Sequence, residues 1–175
     1  MNKLLVVLLG SVIMTAGIHD YSFTEIDGTE INMASFAGKK VLIVNTASGS
    51  DRVLQYAGLD SLYQLYHDSL VIIAFPSNDF GNEPLNDTAL KSFVQDNYHV
   101  HYLLASKATV TGESQDAIFQ WLTKDSLNNA VGTTIQGDFY KFLIDENGEL
   151  MGVYAGEVSP MDSSIINAIE APSAP

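Results

Sequence analysis

The chain has 175 residues, enough for one domain with a real core, and 46% of them are apolar with no long low-complexity tract, which excludes a disordered chain. Its 21 acidic and 8 basic residues give a net charge of −13. No Lys/Arg cluster offsets the repulsion a phosphate backbone would meet, so nucleic acid is excluded as a partner.

Met1-Asn2-Lys3 followed by the apolar residues 4–13 has the form of a basic n-region and an apolar h-region, and Thr15-Ala16-Gly17 offers small residues at a cleavage point. The run lacks the alternation of a half-buried strand, so residues 1–17 are read as a signal peptide. The run is too short for a transmembrane span, and the chain has no cysteine for a lipid anchor or a disulfide. The mature chain is therefore expected to be exported, periplasmic or secreted, with no stable membrane span after cleavage.

Residues 21–26 and 29–33 flank Asp27-Gly28, a two-residue hairpin signal. Residues 41–45 form a continuous apolar run of the kind buried on both faces of a sheet. Residues 54–67 place Leu54, Ala57, Leu62, Leu65 and Tyr66 at helical spacing, and residues 70–75 are a second buried strand. Strand–helix–strand in this form predicts a parallel crossover. Asp87 or Thr88 caps a helix through residue 97, with Leu90, Phe93 and Val94 inward. An irregular strand follows, on which His99 and His101 would share one face. Residues 114–123 predict a helix with Ala117, Ile118, Trp121 and Leu122 on one side. Residues 139–144 and 149–155 surround a turn at 145–148. The last helix is expected to open with Ser159 as cap and Pro160 in its first turn, burying Ile165, Ile166 and Ile169. The tail, 171–175, should fray. The expected architecture is an α/β sandwich with a central mixed sheet flanked by helices and an N-terminal β-hairpin. It forms one domain over 18–170.

Two segments carry a resemblance. Val44-Asn45-Thr46-Ala47-Ser48-Gly49-Ser50 is similar to the V-N-V-A-S-x-C-G of the glutathione peroxidase family, and Phe75-Pro76-Ser77-Asn78-Asp79-Phe80-Gly81 to its F-P-C-N-Q-F-G. Tyr56 matches the Q-Y that trails the active site. Ser106–Glu113 resembles A-K-x-x-V-x-G, and Phe139-Tyr140-Lys141-Phe142-Leu143 resembles F-x-K-F-L. The resemblance implies a thioredoxin-like fold and a catalytic tetrad of Cys or selenocysteine, Gln, Trp and Asn. Carried over by motif, those positions hold Ser50, Asp79, Gly137 and Asp138, and the second cysteine of F-P-C-N holds Ser77. None of the family's catalytic residues is kept.

Reducing an O–O bond needs a nucleophile that can be oxidised and then reduced. A thiol, with a pKa of about 8.5 that its surroundings can lower, does this; a serine hydroxyl has no accessible alkoxide at neutral pH and no comparable oxidation ladder. Peroxidase chemistry by the family mechanism is thus not expected, no cofactor is implied, and a role in binding an unidentified protein or small molecule is the leading reading. The alternative is an oxidative-stress enzyme with residual or altered activity, metal-assisted, at a pocket of Ser50, Asp79 and Asp138. Asp51, Asp79 and Asp138, if they converge with Ser50, are the candidate ligands for a Ca²⁺ or Mg²⁺ ion. No G-x-S-x-G elbow supports Ser50 as a hydrolytic nucleophile. Gly81-Asn82-Glu83-Pro84 reads as a surface turn by composition.

Overall fold

A computed structural model describes residues 17–172. Of the expected signal segment, residues 1–17, all but Gly17 lie outside the described residues, as do the last three residues of the tail.

The N-terminal hairpin forms from β1 (Ser22–Thr24) and β2 (Glu30–Asn32), antiparallel and shorter than the alternating pattern suggested. The turn closes through Glu25 N–H to Thr29 O at 2.7 Å. The main sheet has five strands: β3 (Lys40–Thr46), β4 (Leu70–Pro76), β5 (Leu103–Leu104), β6 (Lys141–Ile144) and β7 (Leu150–Tyr154). Their order is β5-β4-β3-β6-β7, with β3, β4 and β5 parallel and β6 and β7 antiparallel to their neighbours. This is the expected mixed sheet. Its central strands are the uninterrupted apolar runs, because both faces of β3 and β4 are covered. On one face the hairpin and α3 (Ala117–Thr123) pack Phe23, Ile118, Phe119 and Trp121 on Ile43, Phe75 and Phe142. On the other, α1 (Gln55–Tyr66), α2 (Asp87–Tyr98) and α5 (Ser163–Glu170) pack Tyr56, Leu59, Leu62, Leu90, Val94 and Ile165 on Leu42, Val44 and Leu143. A further short helix, α4 (Asp125–Asn128), follows α3 and was not foreseen.

Several local readings need correction. Leu54 is 76% exposed and Leu65 63% exposed. They lie eleven residues apart, three helical turns on one side of α1, while Tyr56, Leu59 and Leu62 fill the opposite, inward stripe. Ala57 and Ala117 are exposed as well, and Phe119 takes the inward place on α3. Helix α2 is capped one residue early by Asn86, whose Oδ1 accepts from Ala89 N–H at 2.9 Å. Helix α5 is capped by Asp162, which accepts from Ser164 N–H at 2.8 Å. Ser159-Pro160 makes the preceding turn instead, since Asp162 N–H bonds back to Ser159 O at 2.9 Å. Before the tail ends, Lys40, itself buried, donates its ammonium to Ile169 O at 2.8 Å and to Ala171 O. His99 ends α2 in the left-handed region (φ 51°), and His101 precedes β5 with its ring 3.0 Å from Asp60 Oδ1, so no strand face unites the two.

Candidate functional site

The parallel strands β3 and β4 deliver the two signature segments to one end of the sheet, the end at which open α/β sheets bind ligands. After Thr46 the chain turns through Ala47–Ser50 into α1. After Pro76 it continues in register, with Ser77 N–H donating to Thr46 O at 2.9 Å. Ser50 is 4% exposed. Its Oγ accepts from Arg52 N–H at 3.2 Å and lies 3.4 Å from Asp51 Oδ1. No histidine or lysine reaches it among the described contacts, so the one base beside the hydroxyl is a carboxylate. Among the described residues the carboxylate in contact with the hydroxyl is that of the exposed Asp51, which pairs with Arg52 at 2.9 Å and disfavours a second negative charge on Ser50.

The carboxylates expected to gather around Ser50 go separate ways. Asp79 turns away to accept from Val110 N–H at 2.7 Å and Thr111 N–H at 3.0 Å, tying the 110–111 loop to the end of β4. Its own N–H donates to the buried Ser77 Oγ at 3.3 Å. Asp138 is 2% exposed and accepts from Asn82 Nδ2 at 2.6 Å. Among the described residues no group of three or more His, Cys, Asp or Glu side chains could hold a metal ion. The Ca²⁺ or Mg²⁺ site proposed from Asp51, Asp79 and Asp138 does not form, because the three carboxylates do not converge: Asp51 pairs with Arg52, Asp79 Oδ2 with the Val110 and Thr111 amides, and Asp138 Oδ2 with Asn82.

Two residues that sequence reasoning missed hold the site together. Glu83 was placed on a surface turn, yet it is 1% exposed. Its carboxylate accepts from Ser48 N–H and Ser48 Oγ, both at 2.7 Å, and from Leu85 N–H at 3.1 Å. The neighbouring Asn82 O accepts from Gly49 N–H at 2.8 Å, and a Cβ on Gly49 would sit 2.8 Å from that oxygen, so only glycine permits the approach. Asn45 clamps the second wall: its Nδ2 donates to Gly137 O at 3.0 Å and its Oδ1 accepts from Tyr140 N–H at 2.9 Å. Between those anchors Phe139 is forced to φ 64°, an expensive conformation for an aromatic residue, and its ring packs edge-on against Tyr56. This clamp presents Asp138. The signal was available for Asn45, a lone amide ending an apolar strand, but not for Glu83.

Gly137 leaves open space where a side chain would project. A cleft of about 170 Å³ lies there, lined by Arg52, Gln136, Gly137, Asp138, Tyr140 and Glu157. Behind it Lys141 is fully buried in β6 and donates to Phe139 O at 2.7 Å. Burial, then the nearby Arg52 charge, lowers its ammonium to about 7, with Glu157 opposing.

The comparisons with known proteins agree with this frame. The family profile described as "Glutathione peroxidase" matches residues 18–123. The chain belongs to the glutathione peroxidase family. It is 35% identical over 144 residues to a "Glutathione peroxidase" of Lactococcus lactis subsp. cremoris, covering 81% of this chain and 91% of that protein. It is 32% identical over 157 residues to "Glutathione peroxidase homolog BsaA" of Bacillus subtilis, covering 87% and 98%. Among solved structures, the apo form of Trgpx superposes with a TM-score of 0.70 at 29% identity, covering 90% of this chain and 97% of that one. A thioredoxin-family thiol:disulfide interchange protein of Chlorobium tepidum, at 16% identity and a TM-score of 0.64, shares the thioredoxin-like fold. The glutathione peroxidase profile ends at Thr123, short of the Gly137-Asp138 pair, which is placed by its F-x-K-F-L neighbours alone.

Proposed function

We propose that this glutathione peroxidase family member is exported, does not reduce hydroperoxides, and acts by binding a protein or small-molecule partner. The observation that carries the reading is Ser50, standing at the peroxidatic position of a chain with no cysteine anywhere. Without a thiol or selenol there is no sulfenic or selenenic intermediate to form and repair. The surroundings offer no substitute, because the base in contact with Ser50 is the exposed Asp51 carboxylate, 3.4 Å away and paired with Arg52, and a base does not give a hydroxyl the redox chemistry of a thiol. Export rests on the charge and hydropathy pattern of residues 1–17. Binding is supported by the cleft beside Gly137 and by Leu54, 76% exposed at the start of α1 a few residues from Ser50.

The purified protein should be given hydrogen peroxide or a lipid hydroperoxide with glutathione, and separately with thioredoxin. No consumption above buffer is expected, and enzyme-like turnover would overturn the reading. N-terminal sequencing of protein from cell fractions tests export separately. A mature start near Ile18 outside the cytoplasm is expected; an intact Met1 start in the cytoplasm contradicts it.

A further inference from the structure

The outer edge of β1 is only partly used. In an antiparallel pair, successive residues turn their backbone N–H and C=O groups alternately toward the partner strand and away from it. Glu25 N–H donates to Thr29 O at 2.7 Å and Met33 N–H to Tyr21 O at 2.9 Å, so residues 21, 23 and 25 face β2. Ser22, Thr24 and Ile26 therefore face outward. There the segment running through β5 takes up part of the edge: Ile26 N–H donates to Leu104 O and Ser106 N–H to Thr24 O, each at 2.8 Å. Beyond Ser106 that segment leaves β1 and follows the end of β4, where Ala108 N–H donates to Pro76 O at 2.8 Å. Among the described residues, the N–H of Thr24 and the N–H and C=O of Ser22 are left without a protein partner.

The two backbones part around a cleft of about 280 Å³. Ser22 and Thr24 line one wall and residues 106–108 the other, with the buried apolar side chains of Phe75 and Ile118 between them. Lys107 spends its ammonium on Glu83 O at 3.2 Å and on Leu85 O. Asp116 on the rim, and Glu25, Asp27 and Glu30 on the hairpin, leave the surroundings negative. A row of open donors and acceptors beside an apolar slot selects an extended main chain, which pairs along the edge and drops alternate side chains inward. A helix has no free backbone groups along its length, and a purely apolar molecule would leave Ser22 and Thr24 unpaired.

We infer that this cleft binds an extended peptide segment of a partner protein, added as a strand to the outer edge of β1. The peptide places apolar side chains on Phe75 and Ile118 and carries Lys or Arg on either side of them, matching the acidic surroundings. The open edge runs only from Ser22 to Thr24, about 10 Å of strand, so the pairing is short and the affinity modest. The inference uses neither Ser50 nor the cleft beside Gly137. It can fail while the chain still proves unable to reduce hydroperoxides.

The probes are end-blocked peptides of the form Lys-Thr-X-Thr-X-Thr-Lys, with Val, Leu, Phe or Tyr at each X, titrated into the protein by fluorescence polarisation. The tightest should bind with a Kd of about 100 μM. N-methylating its Thr residues, or else its X residues, removes the N–H groups that face β1, and one of these two sets should weaken binding at least about tenfold. Hydrogen exchange of the unmodified protein should slow at the Ser22 and Thr24 amides when the peptide is bound. Ala117→Trp, which fills the cleft from an exposed position, should abolish binding while leaving the circular dichroism unchanged. Binding no tighter than about 1 mM by every peptide, full affinity in both N-methylated sets, or protection confined to other amides would overturn the inference.

Discussion

Glu83 grips Ser48 twice, taking its backbone N–H and its hydroxyl at 2.7 Å each, and so fixes the turn that carries Ser50 out of β3. The carboxylate is buried, and among the described residues it has no salt-bridge partner and is held by hydrogen-bond donors. Hydrogen bonds to a charged group are worth about 1.5–3 kcal/mol, and removing the acceptor strands buried donors. Glu83→Ala should therefore lower the unfolding free energy by about 3 kcal/mol in urea, and Glu83→Gln by less. A loss under about 0.5 kcal/mol in the alanine variant, the range of an ordinary surface substitution, would show that the turn does not depend on this contact.

Asn45 plays the matching part on the other wall. Asn45→Ala frees Gly137 O and Tyr140 N–H and releases the constraint that keeps Phe139 at φ 64°. A loss of about 3 kcal/mol is expected by chemical denaturation, with hydrogen exchange accelerated at Tyr140. Unchanged exchange at that amide would contradict the clamp.

Lys141 gives the protein an alkaline signature. Its folded-state ammonium sits at about 7, below the ordinary lysine range, because burial and then Arg52 disfavour the charge. Between pH 7 and about 10 the unfolded chain holds that proton and the native state does not, so this group makes stability rise with pH and loses its contribution as pH falls through 7. The slope from one such group is at most about 1.4 kcal/mol per pH unit. The buried hydroxyls of Tyr56 and Tyr102 are pushed upward by burial and oppose the trend only above pH 10. Denaturation at pH 7, 8.5 and 10 should show the rise in the unmodified protein and a flatter profile in Lys141→Met. Parallel profiles would remove Lys141 as the cause.

The parts that sequence made legible are those governed by local pattern. The apolar runs of β3 and β4 announced buried parallel strands, and Asp27-Gly28 announced the hairpin. What escaped depends on contacts distant in sequence. Leu54 and Leu65 have helical spacing, yet Tyr56, Leu59 and Leu62 form the stripe the sheet covers. Glu83 looks like a turn residue until Ser48, 35 positions away, is placed against it. Asp79 shares the Ser50 end of the sheet, but the backbone of Val110 and Thr111 claims its carboxylate. The residues at the motif-matched positions could be listed from sequence; where each side chain points could not.

The most direct test of the central claim is steady-state hydroperoxide consumption by metal-free protein, with glutathione or thioredoxin as reductant and a cysteine-containing family member assayed alongside. The expected result is a rate equal to buffer, which Ser50→Cys alone does not raise if, as the motifs imply, Asp79, Gly137 and Asp138 stand where the family has its amides and indole. Enzyme-like turnover by the unmodified chain would contradict the claim.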